Sequence, residues 1–115
     1  MHELSIVETL IEQVQQEVER AGHHGRVLRL DLTIGRLSGA CCDSIRFAFE
    51  LLAPDTPLAD AELHITEPKA TCRCQDCRAV VEIDQFPVGC PRCGSRAILI
   101  DGGRELLLQS IEIED

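Results

Sequence analysis

Cys74-Gln75-Asp76-Cys77 and, after twelve intervening residues, Cys90-Pro91-Arg92-Cys93-Gly94 place two C-x-x-C pairs in one short stretch of this chain. Two residues between thiols let a single turn aim both sulfurs at one point. Two such knuckles deliver four thiolates to one tetrahedral Zn2+, which four-cysteine sites hold in a closed, non-catalytic way. Gly94 permits the positive φ at which the second knuckle folds back, and Pro91 stiffens its turn. The intervening segment is a little shorter than the commonest window between such pairs, but long enough for a hairpin. Two disulfides or a redox dithiol are the alternatives that the spacing alone leaves open.

Working outward, residues 4–21 repeat apolar positions at helical spacing (Ile6, Val7, Leu10, Ile11, Val14, Val18, Ala21), and Gly22 ends the run. Residues 26–34 switch to period two, with Leu28, Leu30, Leu32 and Ile34 on one side and Arg29, Asp31 and Thr33 on the other. A second helix is predicted from Asp43, a suitable N-cap, to Ala53 before Pro54, burying Ile45, Ala48, Phe49 and Leu52. Residues 61–67 and 105–114 alternate again as strands, the latter with Leu107, Ile111 and Ile113 on one face. The cysteine segment itself needs only two short strands, Val80–Ile83 and Ile98–Ile100, and leaves through Gly102-Gly103. The expected fold is therefore α+β: a three-stranded, mainly antiparallel sheet covered by two helices, with an inserted zinc-ribbon-like module of four cysteines. The domains would be residues 1–69 with 103–115, interrupted by a zinc-binding domain at 70–102.

Composition narrows the function. The 115 residues are 44% hydrophobic but include only three Phe and no Trp or Tyr, so aliphatic side chains must carry the packing. The formal net charge of −9 argues against a nucleic-acid backbone as the main partner. Residues 70–102 balance four Arg against four acidic residues, so the rest of the chain supplies the whole excess. No apolar run reaches the ~20 residues of a membrane span, and the N-terminus lacks a secretory pattern. Seven Cys without an export signal point to a reducing cytoplasm, where thiols bind metal or react instead of cross-linking. Neither a nucleophile constellation nor a G-x-x-x-x-G-K-[ST] phosphate loop is present, and a binding protein is expected, not an enzyme.

The chain opens Met1-His2-Glu3. A free α-amine, the next backbone amide nitrogen and the imidazole of residue 2 can close adjoining chelate rings, a nitrogen-rich arrangement that suits Ni(II) and Cu(II) better than Zn2+. An initiator Met is retained before a bulky residue such as His. Taken by itself, a His at position 2 is usually just a solvated terminus.

Considered over its full length, the chain resembles the HypA/HybF family, the nickel-insertion accessory proteins of [NiFe]-hydrogenase maturation. The resemblance is carried by Met1-His2-Glu3-Leu4-Ser5-Ile6-Val7, Ile34-Gly35, Ser38-Gly39, Phe47-Ala48-Phe49-Glu50, the two C-x-x-C pairs and Ile111-Glu112-Ile113. It implies nickel bound through His2, with Met1 and Glu3 around it by backbone or side chain, and structural zinc on Cys74, Cys77, Cys90 and Cys93. It further implies a nickel metallochaperone with two partners, a nickel accessory GTPase and the hydrogenase large-subunit precursor, and in some organisms urease maturation proteins. The other reading is a zinc-ribbon interaction module indifferent to His2. Strand or linker exchange would make a homodimer, and the sequence does not decide that point.

Cys41 and Cys42 match no metal motif of the family. Two small buried thiols are the plain reading, an auxiliary soft ligand or a redox-sensitive helix terminus the sharper one. Cys72 reads as a spare, since two C-x-x-C pairs already complete a tetrahedron. His23-His24-Gly25 is expected as a solvent-facing turn and His64 as a surface residue.

Overall fold

A computed structural model describes residues 3–23 and 25–114. The chain runs α1 (Glu3–Arg20), β1 (Val27–Ile34), α2 (Cys42–Leu52), β2 (Glu62–Thr66), β3 (Ala70–Cys74), β4 (Val80–Ile83), β5 (Ile98–Asp101) and β6 (Leu106–Ile113). Two three-stranded sheets result, one in the order β2-β1-β6 and the other β4-β3-β5. The chain divides into two compact units. One comprises residues 1–32, 40–65 and 107–115, the other residues 33–39 and 66–106. No helix among the described residues is long and apolar enough to cross a membrane.

In the first unit α1 buries Val7, Leu10, Ile11, Val14 and Val18, the one stripe that a 3.6-residue period allows. Its end is a Schellman motif: the His23 amide donates to the Val18 carbonyl at 3.1 Å and the Gly22 amide to that of Glu19 at 3.0 Å, with Gly22 at φ 78°. That stop leaves Ala21 exposed, although its spacing placed it on the apolar stripe. α2 packs against α1 and buries Ile45, Ala48 and Phe49. Its N-cap falls two residues earlier than predicted. Cys41 takes the N-cap position without a side-chain cap bond, and Asp43 lies inside the first turn, where the helix dipole favours a carboxylate.

The strands are where simple alternation fails. In β1, Leu30 and Leu32 are buried as expected, but Leu28 is 45% exposed and Val27 is buried instead. The Val27 amide donates to the Pro57 carbonyl at 3.0 Å, so the first residue of the strand is held by a loop partner and the pleat changes phase after it. In β6, Ile111 and Ile113 are half-buried while Leu107 is 52% exposed, and Leu108 turns inward in its place. β6 runs antiparallel to β1: the Ser110 hydroxyl donates to Asp31 at 2.6 Å and the Glu114 amide to the Arg26 carbonyl at 2.9 Å. Leu58, fully buried in the loop after α2, is a core residue that no periodicity announces. The Thr56 hydroxyl fixes it by donating to the Ala53 carbonyl at 2.6 Å while accepting the Leu58 amide at 3.0 Å.

The second unit has three strands where two were expected. β3 is the central one, antiparallel to β4 (Cys72 opposite Val81) and to β5 (Cys72 opposite Ile100). Its sequence, Ala-Thr-Cys-Arg-Cys, lacks the bulky β-branched residues that mark strands. Its inward positions are Ala70, Cys72 and Cys74; Ala70 and Cys72 join Leu37 and Ile83 in a small core flanked by Ile98 and Ile100. Two glycines permit close backbone passage in this unit. A Cβ on Gly35 would collide with the Gly103 carbonyl, and one on Gly103, at φ 76°, would stand 2.7 Å from the Ala70 Cβ.

Candidate metal centre

The two knuckles repeat each other. The Cys74 amide donates to the Ala79 carbonyl at 3.0 Å, and the Cys90 amide to the Ser95 carbonyl at 2.7 Å, each closing a loop to the fifth residue on. Within each loop a backbone amide donates to the first sulfur at 3.4 Å, that of Cys77 to Cys74 and that of Arg92 to Cys90. The residue after each second cysteine is left-handed: Gly94 at φ 78° and, without glycine's freedom, Arg78 at φ 62°. The Ser95 hydroxyl donates to the Asp76 carboxylate and ties one knuckle to the other. The Gln75 amide adds a bond to the Ala97 carbonyl at 2.8 Å, at the head of β5.

All four sulfurs converge within 4.8 Å of one another, with Cys74 and Cys93 3.5 Å apart and Cys77 and Cys90 3.7 Å apart. A tetrahedron with metal–sulfur bonds of about 2.3 Å has sulfur–sulfur edges of about 3.8 Å, so the spacing fits a single thiophilic ion. Electrostatics agrees. Amides of Cys93 and Arg92 point at the Cys90 sulfur and bring its thiol down to about 6, despite burial. Cys93 has the amide of Ser95 pulling it down. Its crowding by Cys74, burial, and the further thiols of Cys77 and Cys90 outweigh that and push it up to about 12. Thiols this close resist carrying four negative charges together, and a divalent cation at their centre removes the conflict. Cys74 and Cys90 are buried, Cys77 and Cys93 exposed. The cage therefore lies near the surface, with half of its donors shielded.

The other sequence candidates separate. Met1 and His2 lie outside the described residues, as does His24; Glu3 is the first residue of α1. Cys72 is 1% exposed, among Leu37, Ala70 and Ile83, and burial raises its thiol first of all. The alternation of β3 sends it into that core, and it stands outside the four-sulfur group. Cys41 is exposed and Cys42 half-buried, so the expectation of two buried thiols fails at the first of them, which the N-cap position turns outward. His23 is exposed, and His64 is half-buried beside Glu62 at 3.2 Å.

Comparison with known proteins agrees with this architecture. The sequence model of the family described as "Hydrogenase/urease nickel incorporation, metallochaperone, hypA" matches residues 1–113. Hydrogenase maturation factor HypA of Chlorobaculum tepidum is 37% identical over 114 residues, covering 99% of this chain and all of the relative. HybF of Escherichia coli is likewise 37% identical over 114 residues with the same coverage. The solution structure of the Ni metallochaperone HypA from Helicobacter pylori superposes with a TM-score of 0.65 at 29% identity, covering 98% of this chain and 97% of the other. This chain thus belongs to the HypA/HybF family of hydrogenase maturation factors, nickel metallochaperones and not enzymes.

Proposed function

We propose that this chain binds Ni(II) at its N-terminus and, with a partner GTPase, delivers it to the large-subunit precursor of a [NiFe]-hydrogenase in the cytoplasm. His2 is the principal nickel ligand, with Met1 and Glu3 completing the shell through backbone or side-chain atoms. Cys74, Cys77, Cys90 and Cys93 hold structural Zn2+, making residues 70–102 the zinc-binding domain and residues 1–69 with 103–115 the nickel-binding one. The family name joins hydrogenase with urease, so urease maturation proteins are a further class of partner.

The observation that carries this reading is the family match, which begins at residue 1 and spans the chain. Charge supports it. The unit of residues 33–39 and 66–106 has seven basic and six acidic residues, leaving four basic and fourteen acidic in the unit that includes the N-terminus. That field favours a divalent cation. The two sites suit different tasks. A terminal site on few chelate rings can exchange ligands stepwise with a recipient, whereas a closed four-thiolate cage holds its ion. Amine and amide donors must lose protons to bind, so nickel affinity falls as pH drops.

The test is complementation. A strain lacking its own nickel-insertion factor should recover hydrogenase activity with this chain but not with His2→Ala, and excess nickel in the medium should rescue the variant. Full recovery with His2→Ala would instead favour a zinc-stapled interaction module that does not handle nickel.

A further inference from the structure

A cavity of about 170 Å3, open to solvent on one side, lies wholly within the first unit. Its apolar lining comes from Val18, Val27 and Leu58, all at most 6% exposed. Gln15, Glu19 and His23 line it at four-residue steps from α1 into the turn beyond. The Schellman bonds that end α1 fix the backbone of His23 there. Two backbone donors nearby are already used, the Val27 amide on Pro57 and the His23 amide on Val18.

The charge that fits is positive. Arg20 is paired with Glu17 at 3.0 Å and Arg26 with Asp60 at 2.8 Å, while the Glu19 carboxylate has no ion pair among the described residues. Size restricts the ligand further. Cavities of about 150 Å3 accommodate benzene, so a body of four to six carbons fits. Drug-sized ligands use roughly 300–1,000 Å3, which rules out a nucleotide. A bare metal ion would leave the apolar lining without purpose.

We propose that this cavity binds an alkylammonium group, with its hydrocarbon against Val18, Val27 and Leu58 and its N–H donors on the side-chain oxygens of Glu19 and Gln15. His23 closes the rim. The group can belong to a free small amine or to a lysine side chain of another polypeptide, and the two sources share this chemistry.

The experiment uses the zinc-loaded full chain and follows the methyl resonances of Val18, Val27 and Leu58 during titration with n-pentylammonium, n-pentanol and Nα-acetyl-lysine amide. Saturable shifts with n-pentylammonium are expected, with a dissociation constant of the order of 1 mM for so small a ligand. Glu19→Gln should weaken binding about tenfold, and n-pentanol should bind about tenfold less tightly, the value of one charge-assisted hydrogen bond. Gln15→Lys, a change outside the buried core, should abolish the shifts by supplying the chain's own ammonium. Matching shifts with the lysine amide would support a protein side chain as the source, and shifts with n-pentylammonium alone a free amine. Equal binding of amine and alcohol, indifference to Glu19→Gln, or no saturable shift would overturn the proposal.

Discussion

The two units of this molecule reach order by different means. Of the twenty buried apolar residues among those described, thirteen lie in the unit of residues 1–32, 40–65 and 107–115, every one of them aliphatic or Phe. The other unit has seven, and three of those are cysteines. Burying a Leu or Val side chain yields about 1.5–3 kcal/mol, so the first unit draws more stabilisation from apolar burial than the second. The second has a sheet of short strands, a core of Leu37, Ala70, Cys72 and Ile83, and a sulfur cluster where a larger domain would have hydrophobes. The difference teaches that the first unit has an aliphatic core of its own, whereas the second gathers its order around a four-thiol group that could hold a metal ion.

The largest expected effect breaks the second unit and spares the first. Structural zinc is worth about 10 kcal/mol or more to small modules of this kind. Removing the metal, or substituting Cys77→Ala or Cys93→Ala, should abolish hydrogen-exchange protection across β3, β4 and β5 while α1 and β1 stay protected. Full zinc content and native protection in either variant would refute the four-ligand assignment. The reciprocal experiment is Leu30→Ala, at a fully buried position of β1. It should cost about 2–5 kcal/mol in denaturant unfolding, with one zinc per chain still bound to the other unit.

How much of this was legible in the sequence follows the same division. The four-cysteine site could be read because ligand spacing is a short-range property, set by turns of two residues. Helix α1 could be read because its apolar stripe persists along its whole length, from Val7 to Val18. β3 could not: Ala70, Cys72 and Cys74 are small or thiol-bearing, and their strand state comes from pairing with β4 and β5 on both sides. Leu28 and Leu107 misled for a related reason: near the start of each strand the pleat shifts phase, so the alternation that holds from Leu30 and from Ile111 onward fails before them. Leu58 gave no signal, because what buries it is a loop fixed by Thr56. The proposed nickel ligands had only weak local chemistry to announce them; the family resemblance supplied that expectation.

Smaller effects sharpen the comparison. In the first unit Asp31 is held below the ordinary carboxylate range, chiefly by the Arg29 guanidinium at 3.0 and 2.8 Å and then by Ser110. A lowered folded-state value stabilises at every pH above the unfolded value of about 4, and the contribution fades as pH falls through the folded one. Asp31→Asn should therefore be less stable than the parent at pH 7, and the gap should close below about pH 4. A gap that stayed constant on acidification would show that the carboxylate's charge does not matter. The smallest effect concerns the knuckles. Arg78 adopts the left-handed conformation that Gly94 adopts in its twin, at a cost of about 1 kcal/mol for a residue with a Cβ. Arg78→Gly should leave zinc affinity unchanged or raise it slightly, by no more than about fivefold in a chelator competition.

The most direct test of the account is a metal count on protein with a native, untagged N-terminus, before and after nickel titration, beside the His2→Ala variant. We predict one zinc per chain in both proteins, and nickel binding that approaches one per chain in the parent and disappears in the variant. Undiminished nickel binding by His2→Ala would contradict the assignment of cargo to the N-terminus and of zinc alone to the thiol cage.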